Sequence, residues 1–241
     1  MSIFELPSEL RSKTYENLVV SDHPIGISFE QTLALPGRPN TLRPRNVEAG
    51  NESTRHLNLS LLRINHHDRK ECVKIFYSRN TFSFPCNSDL SDLYAQLDSF
   101  RLAYGYQASL IRHIVLPFPA FAGNLTPRRR PPSVRFPEYP DALRTLKGFW
   151  TGMRQITFTL RHEQAIILFQ QPESVSDAAV DRMDRQFSDA LPEVKINVDV
   201  GDYRFLLFRD RAIRLEQESK MANFISNMEL FQGWNVLVER T

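Results

Sequence analysis

The feature that most constrains the fold of this chain is a slow alternation between two hydrophobic periods. Strand-like runs start at Ile111, Ile156, Val194 and Trp234. In the run from Val194 to Val200, Val194, Ile196, Val198 and Val200 alternate with Lys195, Asn197 and Asp199, the period-2 pattern of an extended strand. Ile156, Phe158 and Leu160 alternate with threonines in the same way. Between successive strands lies a helical pattern. Leu143, Leu146 and Trp150 follow Pro140; Val180, Met183, Phe187 and Leu191 precede Pro192; Met221, Phe224, Ile225, Met228 and Phe231 precede Gly233. An earlier helix uses Leu90, Leu93, Leu97, Phe100 and Tyr104, with Asp89 and Asp92 in its first turn, where the helix dipole favours acidic groups.

Strands about 40 residues apart with one helix between them are the rhythm of βα units, which build a parallel or mixed sheet with right-handed crossovers. The expected fold class is therefore α/β. Leucine-rich repeats share the alternation but are shorter, roughly 20–29 residues, and carry an asparagine ladder that this sequence lacks. The array is irregular and only distantly of that kind. A further hairpin is expected where Gly201-Asp202 links the Val194 strand to Tyr203–Phe208.

Two stretches interrupt the pattern. Residues 36 to 55 carry three prolines and two glycines, and residues 117 to 140 carry seven prolines; backbone so short of N–H donors does not run through the middle of a sheet. Both read as long loops. The expected organisation is one compact unit over residues 1–241. It comprises an N-terminal helix to residue 20, a loop-rich insertion at 21–56, and an α/β body from 57 onward that holds the loop at 117–140. A chain of 241 residues with 41% hydrophobic and 24% charged residues has the composition of a globular protein with a sizeable core.

The N-terminus, Met1-Ser2-Ile3-Phe4-Glu5-Leu6-Pro7, has neither a basic n-region nor an apolar h-region, and no apolar run approaches the roughly 18 residues of a membrane span. Two cysteines, Cys72 and Cys86, suit a reducing compartment better than a disulfide scaffold. The expected location is cytoplasmic or nuclear, with no membrane partner, and the sequons at Asn51, Asn58 and Asn124 are read as chance triplets.

Phe4-Glu-Leu6-Pro7-Ser8-Glu-Leu10, continuing to Leu18 and Val20, reads as the start of a helix, with Ser8 as its cap and Leu10, Tyr15 and Leu18 on one face. This segment resembles the opening of an F-box, a leucine–proline pair and an acidic residue leading into a helix. Residues 61 to 84, LLRINHHDRKECVKIFYSRNTFSF, are similar to the LLRxNxxxRxExxxIFYxxNTFxF signature of a large fungal family of F-box-like proteins, most of unknown function. The resemblance implies a helix running into the first strand of an α/β body. Leu61, Ile64, Cys72, Ile75 and Phe76 would form the buried side of that helix, and Thr81 to Phe84 the strand. It also implies that Leu6, Pro7, Leu10 and Leu18 contact Skp1 of a cullin-RING ubiquitin ligase, while the body holds a protein target. Thr14 stands where the family carries a bulky aliphatic residue.

No catalytic motif is present. The nine glycines include neither a G-x-G-x-x-G nor a Walker A arrangement, and there is no G-x-S-x-G elbow. His66-His67, Cys72 and Cys86 match no zinc spacing. His162-Glu163 begins like H-E-x-x-H, but Ile166 stands in place of the closing histidine. No cofactor or metal is expected. Two alternatives to a protein-interaction module stay open: an enzyme whose site is assembled from distant loops, and a nucleic-acid-associated protein. The second would use Arg128, Arg129, Arg130 and Arg135, the one concentrated basic patch, although the net charge of +2 does not by itself call for a polyanion.

Overall fold

The computed structural model describes residues 6–31, 42–47, 66–84, 90–118, 140–160, 181, 184–201, 219–220, 222–226, 228–229 and 234–238. The chain forms a mixed α/β fold, as the alternation predicts. Its contacts divide it into two compact units. The first comprises Met1–Pro85, Tyr94–Val115 and Thr145–Arg154; the second comprises Cys86–Leu93, Leu116–Arg144 and Gln155–Thr241.

In the first unit, helix α1 (Ser8–Val19) is followed by strands β1 (Ile25–Gln31) and β2 (Leu42–Val47), helix α2 (His66–Arg79) and strand β3 (Thr81–Ser83). Helix α3 (Leu90–Tyr104), which belongs to this unit from Tyr94, leads through a 3₁₀ helix at Gly105–Leu110 to strand β4 (His113–Pro117), which belongs to it as far as Val115. Strand β1 pairs antiparallel with β2 and parallel with β3, and β3 pairs parallel with β4.

Strands β1 and β2 correct the sequence reading, which places a loop-rich insertion at 21–56 and a loop at 36–55. The signal for β1 was present: Ile25, Ile27 and Phe29 alternate with Gly26, Ser28 and Glu30. Pro44 hid β2. In the ladder Pro44 stands opposite Phe29, and β2 pairs only with β1 among the described strands. A proline is tolerated on a strand with a single partner because its missing N–H is not needed on the open side. The segments 32–41 and 48–65, like Leu61 and Ile64, lie outside the described residues.

The start of β4 also differs, at His113 rather than Ile111. Gly105 takes φ 55°, the left-handed conformation that ends helices. The chain then turns through the 3₁₀ segment until the Ile111 N–H donates to the Ala108 carbonyl at 3.2 Å. The core of this unit is aromatic. Phe84, Phe100 and Trp150 surround one another with ring centroids 5.4–5.6 Å apart, and Tyr77 stacks on Phe82 at 5.7 Å. Trp150 follows helix α4 (Pro140–Phe149), which opens on proline at a first-turn position where no N–H is missed.

In the second unit, strands β5 (Gln155–Thr159), β6 (Lys195–Gly201) and β7 (Asn235–Val238) run parallel, with Ile156 opposite Ile196 and Val198 opposite Val236. Residues 184–190 and 222–226 are helical, within the helices expected before Pro192 and Gly233. Phe158 of β5 meets Phe187 edge to face at 5.1 Å, and Phe118 meets both Phe158 and Phe224. The 184–190 helix closes with the Leu191 N–H donating to the Phe187 carbonyl, before Pro192. Trp234 Nε1 donates to Asp184 Oδ1 at 2.7 Å, which fixes the approach to β7. Val180, Met183, Met221, Phe231 and the Tyr203–Phe208 hairpin lie outside the described residues.

Candidate partner-binding surface

The residues singled out on α1 can be placed from the helix geometry. With 100° of rotation per residue, Tyr15 lies about 140° round the axis from Leu10, so the two do not share a face. Tyr15 and Val19, four apart, do, and both are fully buried. Leu10 lies about 140° from Tyr15 and about 180° from Val19, whereas Leu18 flanks the buried pair, about 60° from Tyr15; the two leucines are 51% and 36% exposed. This corrects the single face drawn through Leu10, Tyr15 and Leu18. Pro7 is exposed and Leu6 half-buried. The side chains of Leu10 and Leu18, with Pro7 at the helix start, form an apolar edge that stays partly exposed. Thr14 stands between the two leucines, its hydroxyl donating to the Leu10 carbonyl at 2.8 Å, so it adds little apolar surface.

The helix begins without the expected cap. Pro7, not Ser8, occupies the N-cap position, with no side-chain cap bond, because proline offers no side-chain acceptor. The Pro7 carbonyl instead accepts from the Arg11 N–H at 2.9 Å.

What holds α1 is its inner face against α2. Arg11 Nε donates to Glu71 Oε2 at 3.1 Å, and the Ser12 hydroxyl donates to Glu71 Oε1 at 2.6 Å. Both oxygens of one carboxylate are thus engaged, which also fixes its orientation. Near the other end Glu16 and Arg79 pair at 3.4 Å. Both are well exposed, so this pair contributes little. Asn80 closes the joint. Its Nδ2 donates to the Val19 carbonyl at 2.8 Å and the Phe76 carbonyl at 2.9 Å, while its Oδ1 accepts from the Ser21 N–H at 2.6 Å. Asn80 is buried, and this amide satisfies the ends of both helices at once. Two elements of the 61–84 signature, Glu71 and Asn80, therefore have a physical task. Sequence reasoning named neither, since their partners are about sixty residues away. Of the buried side assigned to this helix, Cys72 and Phe76 are buried and Ile75 half-buried, with Val73 and Tyr77 buried as well.

Elsewhere in the first unit, the Thr81 hydroxyl and His113 Nδ1 stand 3.0 Å apart across the β3–β4 ladder. Burial holds the imidazole below its usual range. Tyr77 is pushed well above the ordinary phenol value by burial, with Tyr104 and Tyr106 adding to it. These groups lie among aromatic core residues, and the arrangement reads as structural.

The basic patch Arg128, Arg129, Arg130 and Arg135 lies outside the described residues, as do Cys86, His162 and Glu163. Among the described residues no group of three His, Cys, Asp or Glu side chains is placed to hold a metal ion, and no helix is long and apolar enough to cross a membrane. No family model, curated protein or solved structure matches the chain.

Proposed function

We propose that this chain is a protein-interaction module that presents the outer edge of α1 to a partner protein. The supporting observation is that Tyr15 and Val19 anchor α1 while Leu10 and Leu18 stay exposed on a helix that is held in place. Apolar side chains on a fixed helix are the usual anchors of helix-in-groove recognition. Combined with the F-box-like sequences at 3–20 and 61–84, the partner of choice is Skp1, with Leu6, Pro7, Leu10 and Leu18 at the contact. In this reading the protein is a substrate adaptor of a cullin-RING ubiquitin ligase, and the α/β body takes the target.

The test is co-expression with a fungal Skp1 followed by size-exclusion chromatography, for the wild type and for the Leu10→Ala/Leu18→Ala variant. Both leucines are exposed, so the variant keeps its fold while losing two anchors. A complex formed by the wild type and lost in the variant is the expected result. No complex with a folded wild type would end the adaptor reading.

A further inference from the structure

Helix α1 is poorly equipped to exist alone. It has 12 residues, no side-chain cap and no basic residue in its last turn, and isolated helices of that length are marginal in water. Its helical state therefore depends on the burial of Tyr15 and Val19 and on two polar joints from α2 and the residue after it, Glu71 with Arg11 and Ser12, and Asn80 with Val19 and Ser21. Glu71 and Asn80 reach α1 through Arg11, Ser12, Val19 and Ser21, beside the exposed edge formed by Leu10 and Leu18 and not on it.

We infer that Glu71 and Asn80 are positioning residues for the partner surface: the apolar edge of α1 is assembled only while these two side chains hold the helix on α2. The inference rests on the reading of that edge as a partner site. Its consequence is a population effect. If only a fraction of molecules has α1 docked, the apparent dissociation constant rises by the inverse of that fraction. Releasing α1 lowers the association rate, because fewer molecules are competent at any instant. The dissociation rate stays unchanged, since the bound complex keeps every contact. A residue that touched the partner directly would act mainly on dissociation.

Asn80→Ala removes three side-chain hydrogen bonds, two of them across the α1–α2 joint, and leaves the Val19 carbonyl and Ser21 N–H without that partner. Glu71→Gln keeps the shape and removes the charge that faces Arg11. The experiment measures Skp1 association and dissociation rates for the wild type and both variants, alongside amide hydrogen exchange. For Asn80→Ala the expected result is apparent affinity weakened by about tenfold, carried by the association rate. The α1 amides should lose protection while β3 and β4 keep theirs. Glu71→Gln should show a smaller change of the same kind, and serves if Asn80→Ala does not fold. A wild type that does not bind removes the partner reading itself. A wild type that binds, with variants that bind equally well or differ only in dissociation, overturns the positioning role alone. So does loss of protection that spreads to β3 and β4, because α1 would then not be separately releasable.

Discussion

Gly152 occupies a place where no side chain fits. A Cβ built there would stand 2.1 Å from the Ser109 carbonyl oxygen, a backbone atom that cannot swing aside. Gly152→Ala should therefore destabilise the protein by at least about 1–3 kcal/mol, read from the midpoint of denaturant unfolding. Tyr77 makes a prediction in pH. Its phenol is held above the ordinary value of 10.0 by burial first, and then by Tyr104 and Tyr106. The folded state thus binds this proton more tightly than the unfolded chain. The resulting stabilisation is complete below about pH 10 and is lost as pH rises toward the folded-state value. Melting temperature measured from pH 8 to 11 should fall at the alkaline end, and less steeply in Tyr77→Phe. Burial raises Tyr104 as well, so some of the slope should persist in that variant.

At the scale of elements, the two faces of α1 should separate in mutagenesis. Tyr15→Ala empties a fully buried position and should cost on the order of 3 kcal/mol. Leu10→Ala/Leu18→Ala, on the exposed edge, should change stability by no more than about 0.5 kcal/mol per site. Chemical denaturation of the two variants checks this, and equal losses would mean that the outer edge is packed rather than free. In the second unit, Phe158 of β5 is fully buried against Phe118 and Phe187. Phe158→Ala should cost about 3–5 kcal/mol by the same measurement. The helices also show why local patterns succeed unevenly. The stripe Leu97–Phe100–Tyr104 was readable because its period is helical and its burial follows it. At the start of α1 the local pattern favours Ser8 as N-cap, but Pro7 takes that position in the structure.

For the whole molecule, the alternation of strands and helices carried the α/β class, and the parallel pairing within β1–β3–β4 and within β5–β6–β7 agrees with it. Strands with partners on both sides should exchange their amides most slowly. Within the second unit β6 should be slower than β7, and within the first β1 slower than β2, as mass-spectrometric exchange would show. Periodicity, proline and glycine positions, and the aromatic count act locally, so the sequence by itself determined the helices and the strands from β4 onward and the need for an aromatic core, but not β1 and β2. Partner choice across distance is not local. The pairing of β1 with both β2 and β3, the side of α1 that turns inward, and the meeting of Glu71 and Asn80 with α1 some sixty residues earlier were decided only by the tertiary structure. There, burial of Tyr15 and Val19 and the satisfaction of helix-end hydrogen bonds select one arrangement from several that the same local signals allow.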